Sequence, residues 1–433
     1  MFEASVFRQR RLQLMQSMGS GAALIPTAHE ALRNRDSYFP YRFDSYFYYL
    51  TGFQEPEAVL LLIAGAQPKS LLFCRDKDME REIWDGFRHG PAGAVERFGF
   101  DEAYSIAQLD EMASKLLANQ PKLYYALGQD QAWDARVTAW LNHLRAQGRS
   151  GISAPAEICD VRTLLDEMRI FKSPEELDTM RRAAKISTGA HINAMRATRP
   201  GKMEYEIEAE LLHEFRRHGS QAPAYSSIVA GGANACVLHY VVNNARLRDG
   251  DLLLIDAGCE LDGYASDITR TFPVNGKFSG PQKDLYELVL AAQAAAIDKV
   301  RPGSHWNQPH EAALEVLVRG FIDFGLCQGT PEAVLESGDY RRFYMHRTGH
   351  WLGLDVHDVG EYKHDGGWRQ LQPGMTLTVE PGCYVRPADG VPKQFWDIGI
   401  RIEDDAVVTA TGCEIITAAA PKMIGEIEAV MTC

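Results

Sequence analysis

The sequence has no closely spaced pair of cysteines. Its eight cysteines are scattered over 433 residues without a CxxC motif, which argues against a disulfide framework or a zinc ribbon and is typical of reduced thiols. No segment has the about 18 consecutive apolar residues of a membrane-spanning helix. The amino-terminal segment is an amphipathic helix that contains arginines and lacks the apolar centre of a signal peptide. We therefore expect a cytoplasmic protein without a membrane partner.

A basic surface is also missing. The formal net charge is −13, and a nucleic-acid partner would require a basic face, so we expect none. Residues 1–165 contain no glycine-rich phosphate-binding loop and no cluster of metal ligands. The 45% hydrophobic content is ordinary for a globular protein with a large core. The length favours two domains.

The predicted domains are 1–165 and 166–433. Helices alternate with strand-like runs in the first, including Phe47–Leu50, and this alternation predicts an α/β domain. In the second, Ser173-Pro-Glu-Glu provides an N-cap and a proline in the first turn of a long helix. Four helices and glycine-punctuated extended runs predict an α+β domain with a mostly antiparallel sheet.

Acidic residues end the extended runs of the second domain. A hydrophobic strand ends at Asp256, and the extended segment that follows ends at Asp267. The spacing of Leu247, Gly250, Asp256 and Gly258 recurs in Leu371, Gly374, Glu380 and Gly382, and Glu403 follows in the second copy. A buried acid is unfavourable unless it is paired or binds a cation. The repeat predicts a metal site with two acids from each half; the alternative is two similar hairpins with solvated acids.

Three histidines lie between these hairpins in a glycine-rich segment, His346, His350 and His357. A lone histidine is more often a core residue, but three in this segment favour a functional role as ligands or proton carriers. Four carboxylates and one imidazole suit hard divalent ions such as Mn²⁺, Co²⁺, Fe²⁺ or Mg²⁺. So many ligands favour two ions that share a water or hydroxide, which suits amide hydrolysis.

Five segments of the second domain resemble a known family. They are VLHYVVNN, LLLIDAGCELDGYASDITRTFPV, HRTGHWLGLDVHDVG, LTVEPGCYV and GIRIEDD. In this order they resemble the pita-bread (creatinase/methionine aminopeptidase) metallopeptidases. RNRDSYFPYR and YLTGFQEPEAVLLL extend the resemblance to the first domain and to the bacterial Xaa-Pro aminopeptidases, or aminopeptidase P. The resemblance implies an α/β N-terminal domain for substrate access and oligomerisation, and an α+β pita-bread catalytic domain with an internal pseudo-twofold repeat.

The resemblance also implies a dinuclear metal centre. Its two divalent ions would be Mn²⁺, with Co²⁺, Mg²⁺ and Zn²⁺ as alternatives, held by Asp256, Asp267, His350, Glu380 and Glu403. Asp267 and Glu403 would bridge the ions. Glu380 would act as the proton shuttle for an attacking metal-bridging hydroxide.

Further roles follow from the same resemblance. His239 and His357 would steady the scissile carbonyl and the oxyanion, and His346 would line the proline pocket. Arg401 would support the metal-binding acids. His239 could instead be a strand residue that hydrogen-bonds a nearby carbonyl, and Arg401 would pair with acids in either interpretation.

Three more residues match family positions around the site. Asp36 and Tyr362 would support substrate binding, although both could be ordinary hydrogen-bonding loop residues. Trp84 matches a tryptophan that approaches the pocket of a neighbouring subunit, or it packs within its own domain. A homodimer or homotetramer is expected on this basis.

Arg347 departs from the family pattern, because relatives commonly have glycine after the first histidine of this loop. Its side chain either points to solvent or grips a substrate carboxylate, for which a guanidinium is suited. The second possibility would favour dipeptides as substrates.

The sequence therefore predicts a metal-dependent aminopeptidase that removes the residue preceding proline at the N-terminus of peptides. The alternative enzyme is an Xaa-Pro dipeptidase (prolidase). A remote alternative is a non-enzymatic pita-bread binding module, but such modules typically lack the metal ligands, and all five are present here. Metal-free creatinase-like hydrolysis is disfavoured for the same reason.

Overall fold

The computed structural model describes residues 2–432. The chain divides into two compact units between Met168 and Arg169. Both this division and the boundary predicted at 165/166 fall within one helix, Arg162–Ile170.

The first unit contains a six-stranded mixed sheet with helices around it. Its helices are α1 (Ala4–Met18), α2 (Ser45–Thr51), α3 (Met79–Asp85), α4 (Gly90–Phe98), α5 (Leu109–Leu117) and α6 (Gln131–Ala146), followed by α7 (Arg162–Ile170) at the division. Its strands are β1 (Gly21–Pro26), β2 (Leu32–Asn34), β3 (Ser37–Tyr38), β4 (Val59–Ala64), β5 (Lys69–Cys74), β6 (Glu102–Ser105), β7 (Lys122–Tyr124) and β8 (Glu157–Cys159). The sheet order is β6-β5-β4-β1-β7-β8, with β2 and β3 forming a separate hairpin.

The central strands of this sheet are buried along nearly their whole length. Leu24 of β1, Leu61 of β4 and Leu123 of β7 pack in one cluster with Trp140 and Leu144 of α6. Uninterrupted apolar runs of this kind are typical of strands that are covered on both faces. The α/β prediction for this half of the chain is confirmed.

The strand predicted at Phe47–Leu50 is wrong, because these residues form α2. The Asp44 carboxylate accepts a hydrogen bond from the Phe47 backbone N–H at 2.9 Å and caps the helix. Gly52, at φ +65°, ends it. Aromatic residues favour strands in general, but here the cap and burial on all sides of a short helix outweigh that preference.

The second unit packs helices against small antiparallel sheets. Its helices are α8 (Pro174–Ala197), α9 (Glu204–Arg217), α10 (Gly280–Asp298), α11 (Gln308–Asp323), α12 (Pro331–Ser337) and α13 (Ile424–Thr432). Its strands are β9 (Ala222–Pro223), β10 (Ile228–Gly231), β11 (Leu252–Asp256), β12 (Cys259–Leu261), β13 (Tyr264–Ala265), β14 (Thr269–Pro273), β15 (Lys363–His364), β16 (Gly367–Trp368), β17 (Thr376–Val379), β18 (Gly382–Val385), β19 (Ile398–Arg401), β20 (Asp404–Val408) and β21 (Cys413–Ile415). The strand orders are β10-β11-β14, β13-β12-β9, β17-β20-β21, β18-β19 and β15-β16.

The internal repeat is visible in the strand pairing. In the first copy β11 pairs antiparallel with β14, and Asp256 lies opposite Thr269, two residues after Asp267. In the second copy β17 pairs antiparallel with β20; Glu380 follows β17 and Glu403 precedes β20. Antiparallel pairing places the end of one strand beside the start of the next, so each copy carries its two acids at one edge.

The four helices predicted for the second unit correspond to α8 to α11, whereas α12 and α13 were not predicted. Ser173 and Glu176 form the capping box of α8, with the Ser173 N–H donating to the Glu176 carboxylate at 2.8 Å. A continuous core packs α8 to α11 against the strands, with Leu253 and Leu377 among its members. No helix within residues 2–432 is both long enough and apolar enough to cross a membrane.

Candidate metal centre

A cavity of about 680 Å³ lies in the second unit. The residues that line it include every site residue predicted for that unit: His239, Asp256, Asp267, His346, Arg347, His350, His357, Tyr362, Glu380, Arg401 and Glu403. Asp36 and Trp84 belong to the first unit, and both are exposed there.

Two glycines allow the backbone segments around the acids to approach closely. A Cβ atom on Gly258 would lie 1.7 Å from the Ser266 carbonyl oxygen, so the turn after Asp256 requires glycine. A Cβ atom on Gly349 would lie 2.1 Å from the Thr378 carbonyl oxygen. Because Gly349 has no Cβ atom, the histidine loop (residues 345–360) can lie directly against β17, beside Glu380 and Glu403.

Asp267, His350 and Glu403 form the closest group of ligands. One donor atom from each lies within 4.8 Å of the others. The His350 Nδ1 atom is 2.9 Å from the Trp351 carbonyl oxygen, so Nδ1 carries the proton and donates it. Nε2 is then turned to Asp267, 3.4 Å away, and is the ring nitrogen that would bind a metal. The Thr269 hydroxyl donates to Glu403 at 2.6 Å and orients that carboxylate.

The electrostatics of these buried groups suit a cation. Burial raises the pKa of Asp267 and of Glu403, and repulsion by the neighbouring carboxylates adds to the increase. Burial likewise raises the pKa of Glu380 to about 7, although His350 and Arg401 oppose it. Burial would lower the pKa of His350, but Asp267 and Glu380 outweigh it and raise that pKa to about 9. Divalent ions would relieve this excess of buried negative charge.

Asp256 and Glu380 flank the three-residue group. The Asp256 carboxylate accepts hydrogen bonds from Arg401 and from the Tyr225 hydroxyl, each at 2.6 Å. The same hydroxyl lies within hydrogen-bond distance of Asp267. Glu380 is 3.7 Å from His350 Nε2. Tyr225 was not predicted, and it comes from a loop without a recognisable pattern between β9 and β10.

Arg401, at the end of β19, is 4% exposed. Its side chain connects Asp256 to residues of β14 and β18. Besides Asp256, its guanidinium donates to the Tyr384 hydroxyl at 3.0 Å and to the Thr269 hydroxyl at 3.1 Å. Since Thr269 also donates to Glu403, Arg401 holds acids from both halves of the repeat. Arg401 therefore does more than pair with one acid, because its hydrogen bonds also reach two hydroxyl groups.

The other histidines occupy different environments. His346 Nε2 lies 2.8 Å from the Tyr384 hydroxyl, and burial lowers the pKa of this imidazole to about 3. The His357 ring is 4.4 Å from that of His350; burial and the neighbouring His350 lower the pKa of His357. His239 lies exposed in a turn rather than in a strand, so its alternative interpretation as a strand residue is wrong.

An aromatic wall completes the cavity. The Tyr362 ring stacks parallel to Trp351, 5.7 Å away, and lies 4.6 Å from Trp306. Behind this region the His310 ring lies 2.9 Å from the Thr348 hydroxyl, and burial lowers the pKa of His310 to about 4. Trp306 and His310 were not predicted as site residues, because a single tryptophan in a turn or a single histidine in a helix gives no spacing signal.

Comparison with known proteins identifies the family. Residues 178–410 match Metallopeptidase family M24, and residues 7–124 match the aminopeptidase P N-terminal domain. The chain belongs to metallopeptidase family M24. The fold and family predicted from the sequence are therefore confirmed, and the non-enzymatic alternative is disfavoured by the presence of the cavity and its acids.

The chain aligns with M24 relatives over nearly its whole length. It is 46% identical to the Xaa-Pro aminopeptidases of Escherichia coli and Haemophilus influenzae, covering 98% of this chain and 97% and 96% of theirs. The solved structure of Pseudomonas aeruginosa aminopeptidase PepP superposes with a TM-score of 0.98 at 50% identity, covering 100% of this chain and 98% of that one. An E. coli aminopeptidase P variant in complex with substrate gives a TM-score of 0.97 at 45% identity, with the same coverage. These relatives are aminopeptidases by name, so they give the dipeptidase alternative no support.

Proposed function

We propose that this M24 protein is an Xaa-Pro aminopeptidase, which removes the N-terminal residue from peptides with proline in the second position. The observation that carries the proposal is the convergence of the five expected ligands on one cavity, in a chain aligned end to end with Xaa-Pro aminopeptidases. These ligands are Asp256, Asp267, His350, Glu380 and Glu403.

The donor set suits two divalent ions. Bound there, such ions would polarise the scissile carbonyl and lower the pKa of a water molecule. Four carboxylates and one imidazole favour Mn²⁺, while Co²⁺, Mg²⁺ and Zn²⁺ are alternatives. Asp267 and Glu403, both buried in the closest ligand group, would supply carboxylate ligands to these ions.

The remaining roles belong to the chain's own side chains. Glu380, whose pKa is raised to about 7 by burial, takes a proton from the attacking water and returns it to the departing proline nitrogen. His239 and His357 donate hydrogen bonds to the carbonyl oxygen as negative charge develops on it. His346 and Tyr362 form walls for the substrate. Arg401 fixes Asp256 by a direct hydrogen bond.

Metal dependence is the first test of this proposal. Protein stripped of metal by chelation is expected not to hydrolyse Arg-Pro-Pro, and added Mn²⁺ is expected to restore release of the first arginine, measured by chromatography. Arg-Ala-Ala serves as the control peptide and should remain intact. Cleavage of Ala-Pro but not of Arg-Pro-Pro would instead indicate a dipeptidase. If metal-loaded protein cleaved neither peptide, the non-enzymatic binding module would be the remaining interpretation.

We also propose that the protein forms a homodimer or homotetramer through α3. This short helix and the residues after it present a large apolar surface, with Met79, Ile83, Trp84 and Phe87 exposed by 80%, 82%, 85% and 65%. Contiguous apolar surface of this kind marks protein interfaces. A second copy of the chain would cover it, and Trp84 would then reach the partner. Asp36, in the same unit, remains a predicted substrate-support residue.

The proposed assembly can be tested by introducing a charge into this surface. Ile83→Lys is expected to lower the molar mass measured by light scattering, because a buried ammonium without a partner is unfavourable. Glu80→Lys, at an exposed polar position of the same helix, is the matched control. An unchanged mass for Ile83→Lys would place the interface elsewhere.

A cytoplasmic location is proposed as well. The seven cysteines among residues 2–432 are all unpaired, as expected in a reducing compartment. Cell fractionation should recover the protein with cytoplasmic markers, and recovery outside the cytoplasm would contradict this assignment.

A further inference from the structure

Two cationic side chains contact the indole ring of Trp368 beside the cavity. The guanidinium carbon of Arg347 lies 5.3 Å from the ring centroid, and the Lys363 ammonium lies 4.7 Å from it. Cations held over an indole face gain a modest electrostatic stabilisation. Arg347 and Trp368 both line the cavity, while the Arg347 and Lys363 side chains are exposed to solvent.

The position of Arg347 is fixed by a neutral group. Its guanidinium donates a hydrogen bond to the Asn307 side-chain oxygen. Asn307 is itself oriented, because its amide nitrogen donates to Glu311 at 2.6 Å. Since the acceptor is an uncharged amide, this contact leaves the charge of Arg347 available.

Neither of these two cations forms an ion pair with a carboxylate in the described part of the chain. Among residues 2–432, no carboxylate lies within 4.0 Å of the charged nitrogens of Arg347 or Lys363. The nearby acids of the metal centre are buried and turned to one another and to Arg401. The cavity therefore has a cationic rim, consisting of Arg347 and Lys363 around Trp368, on its solvent side.

We propose that this cationic rim binds the α-carboxylate at the C-terminus of tripeptide substrates and so makes the enzyme favour them over longer or blocked peptides. The inference rests on the proposed function. A guanidinium binds a carboxylate with two parallel hydrogen bonds. Arg347 follows His346, which lines the same cavity, and its exposed side chain extends to the half-buried indole of Trp368. One residue spans about 3.5 Å, so the residue after proline brings a terminal carboxylate towards the rim.

The same chemistry could be supplied by an acidic side chain in the third position, so the test separates the two sources. The specificity constant kcat/KM is measured for Ala-Pro-Ala, for its C-terminal amide and for Ala-Pro-Asp-amide. Wild-type enzyme is expected to favour the free acid over the amide by about tenfold, the effect of one charge-assisted hydrogen bond. Added salt should reduce this ratio, because the rim is exposed.

Substitutions at Arg347 then assign the preference. Arg347→Ala is expected to bring the acid-to-amide ratio close to one, and Arg347→Glu to invert it. Arg347→Lys keeps the positive charge but loses the two parallel N–H donors of the guanidinium, so it should give an intermediate ratio. It replaces the alanine variant in the comparison if that variant folds poorly. Arg319→Ala removes an exposed arginine of α11 that pairs with Glu315 and should leave the ratio unchanged.

Each contrary outcome has a distinct meaning. A wild-type ratio near one, or a ratio retained in Arg347→Ala, would overturn the inference while the aminopeptidase proposal stood. Equal preference for Ala-Pro-Asp-amide and Ala-Pro-Ala would overturn the assignment to the C-terminus. Failure of metal-loaded wild-type enzyme to cleave any of the three peptides would overturn the proposed function and this inference with it.

Discussion

Glu380→Gln is expected to lower kcat for Arg-Pro-Pro by about a thousandfold, within the range that a positioned general acid or base contributes. Glutamine has nearly the same shape but cannot take up and return a proton. The hydrogen bonds around the site can remain, since the Glu380 backbone N–H donates to the Thr348 carbonyl at 2.8 Å and the Thr378 hydroxyl lies 3.3 Å from its side chain. Steady-state assays at saturating Mn²⁺ measure the loss.

The control for this substitution separates proton transfer from metal loss. Glu361→Gln changes a carboxylate that is 71% exposed and should leave kcat within about twofold, as expected for a surface site. Metal content is measured by mass spectrometry on both variants, and circular dichroism reports the fold. Full activity of Glu380→Gln would refute the proposed role. Lost activity together with lost metal would assign Glu380 mainly to metal binding.

The acids were predictable because their positions follow from local rules. A strand that ends in an acid, a glycine turn and an antiparallel return strand fix where Asp256 and Asp267 meet, and the same pattern recurs around Glu380 and Glu403. A register error of one residue would turn these side chains to the opposite face. The recurrence of the pattern in the sequence therefore predicts that the four acids lie on the same face of their strands.

The surroundings of the acids could not be predicted in this way. Tyr225 is 31 residues from Asp256 in sequence, and Trp306 meets Tyr362 only through the packing of two distant segments. Such contacts depend on tertiary structure and leave no periodic signal. The error at α2 has a related cause, because local aromatic content favoured a strand whereas the helix cap at Asp44 and the packed environment favoured a helix.

Asp358, next to His357 in sequence, holds the histidine loop through a buried ion cluster. Its carboxylate accepts hydrogen bonds from Arg169 at 2.6 Å and from Lys172 at 2.9 Å, and the side chains of all three are at most 2% exposed. Burial would raise the pKa of Asp358, but Lys172 and Arg169 outweigh it and lower that pKa. A Cβ atom on Gly353 would lie 2.1 Å from the Asp358 carboxylate, so the loop that leads to His357 wraps tightly around the cluster.

Asp358→Asn is expected to lower the free energy of unfolding by about 3–5 kcal/mol, because it leaves the Lys172 ammonium buried without its carboxylate. Urea denaturation measures the loss, and kcat should fall as well, since His357 adjoins Asp358.

Asp355→Asn is the matched control. Asp355 also accepts a hydrogen bond from Arg169, at 2.7 Å, but its side chain is 36% exposed, so a loss of about 1 kcal/mol or less is expected. The double variant Lys172→Met, Asp358→Asn should recover part of the stability, because the lone ammonium is gone. If Asp358→Asn were as stable as wild type, solvent would have to reach Lys172, and the ion cluster could not be what fixes His357.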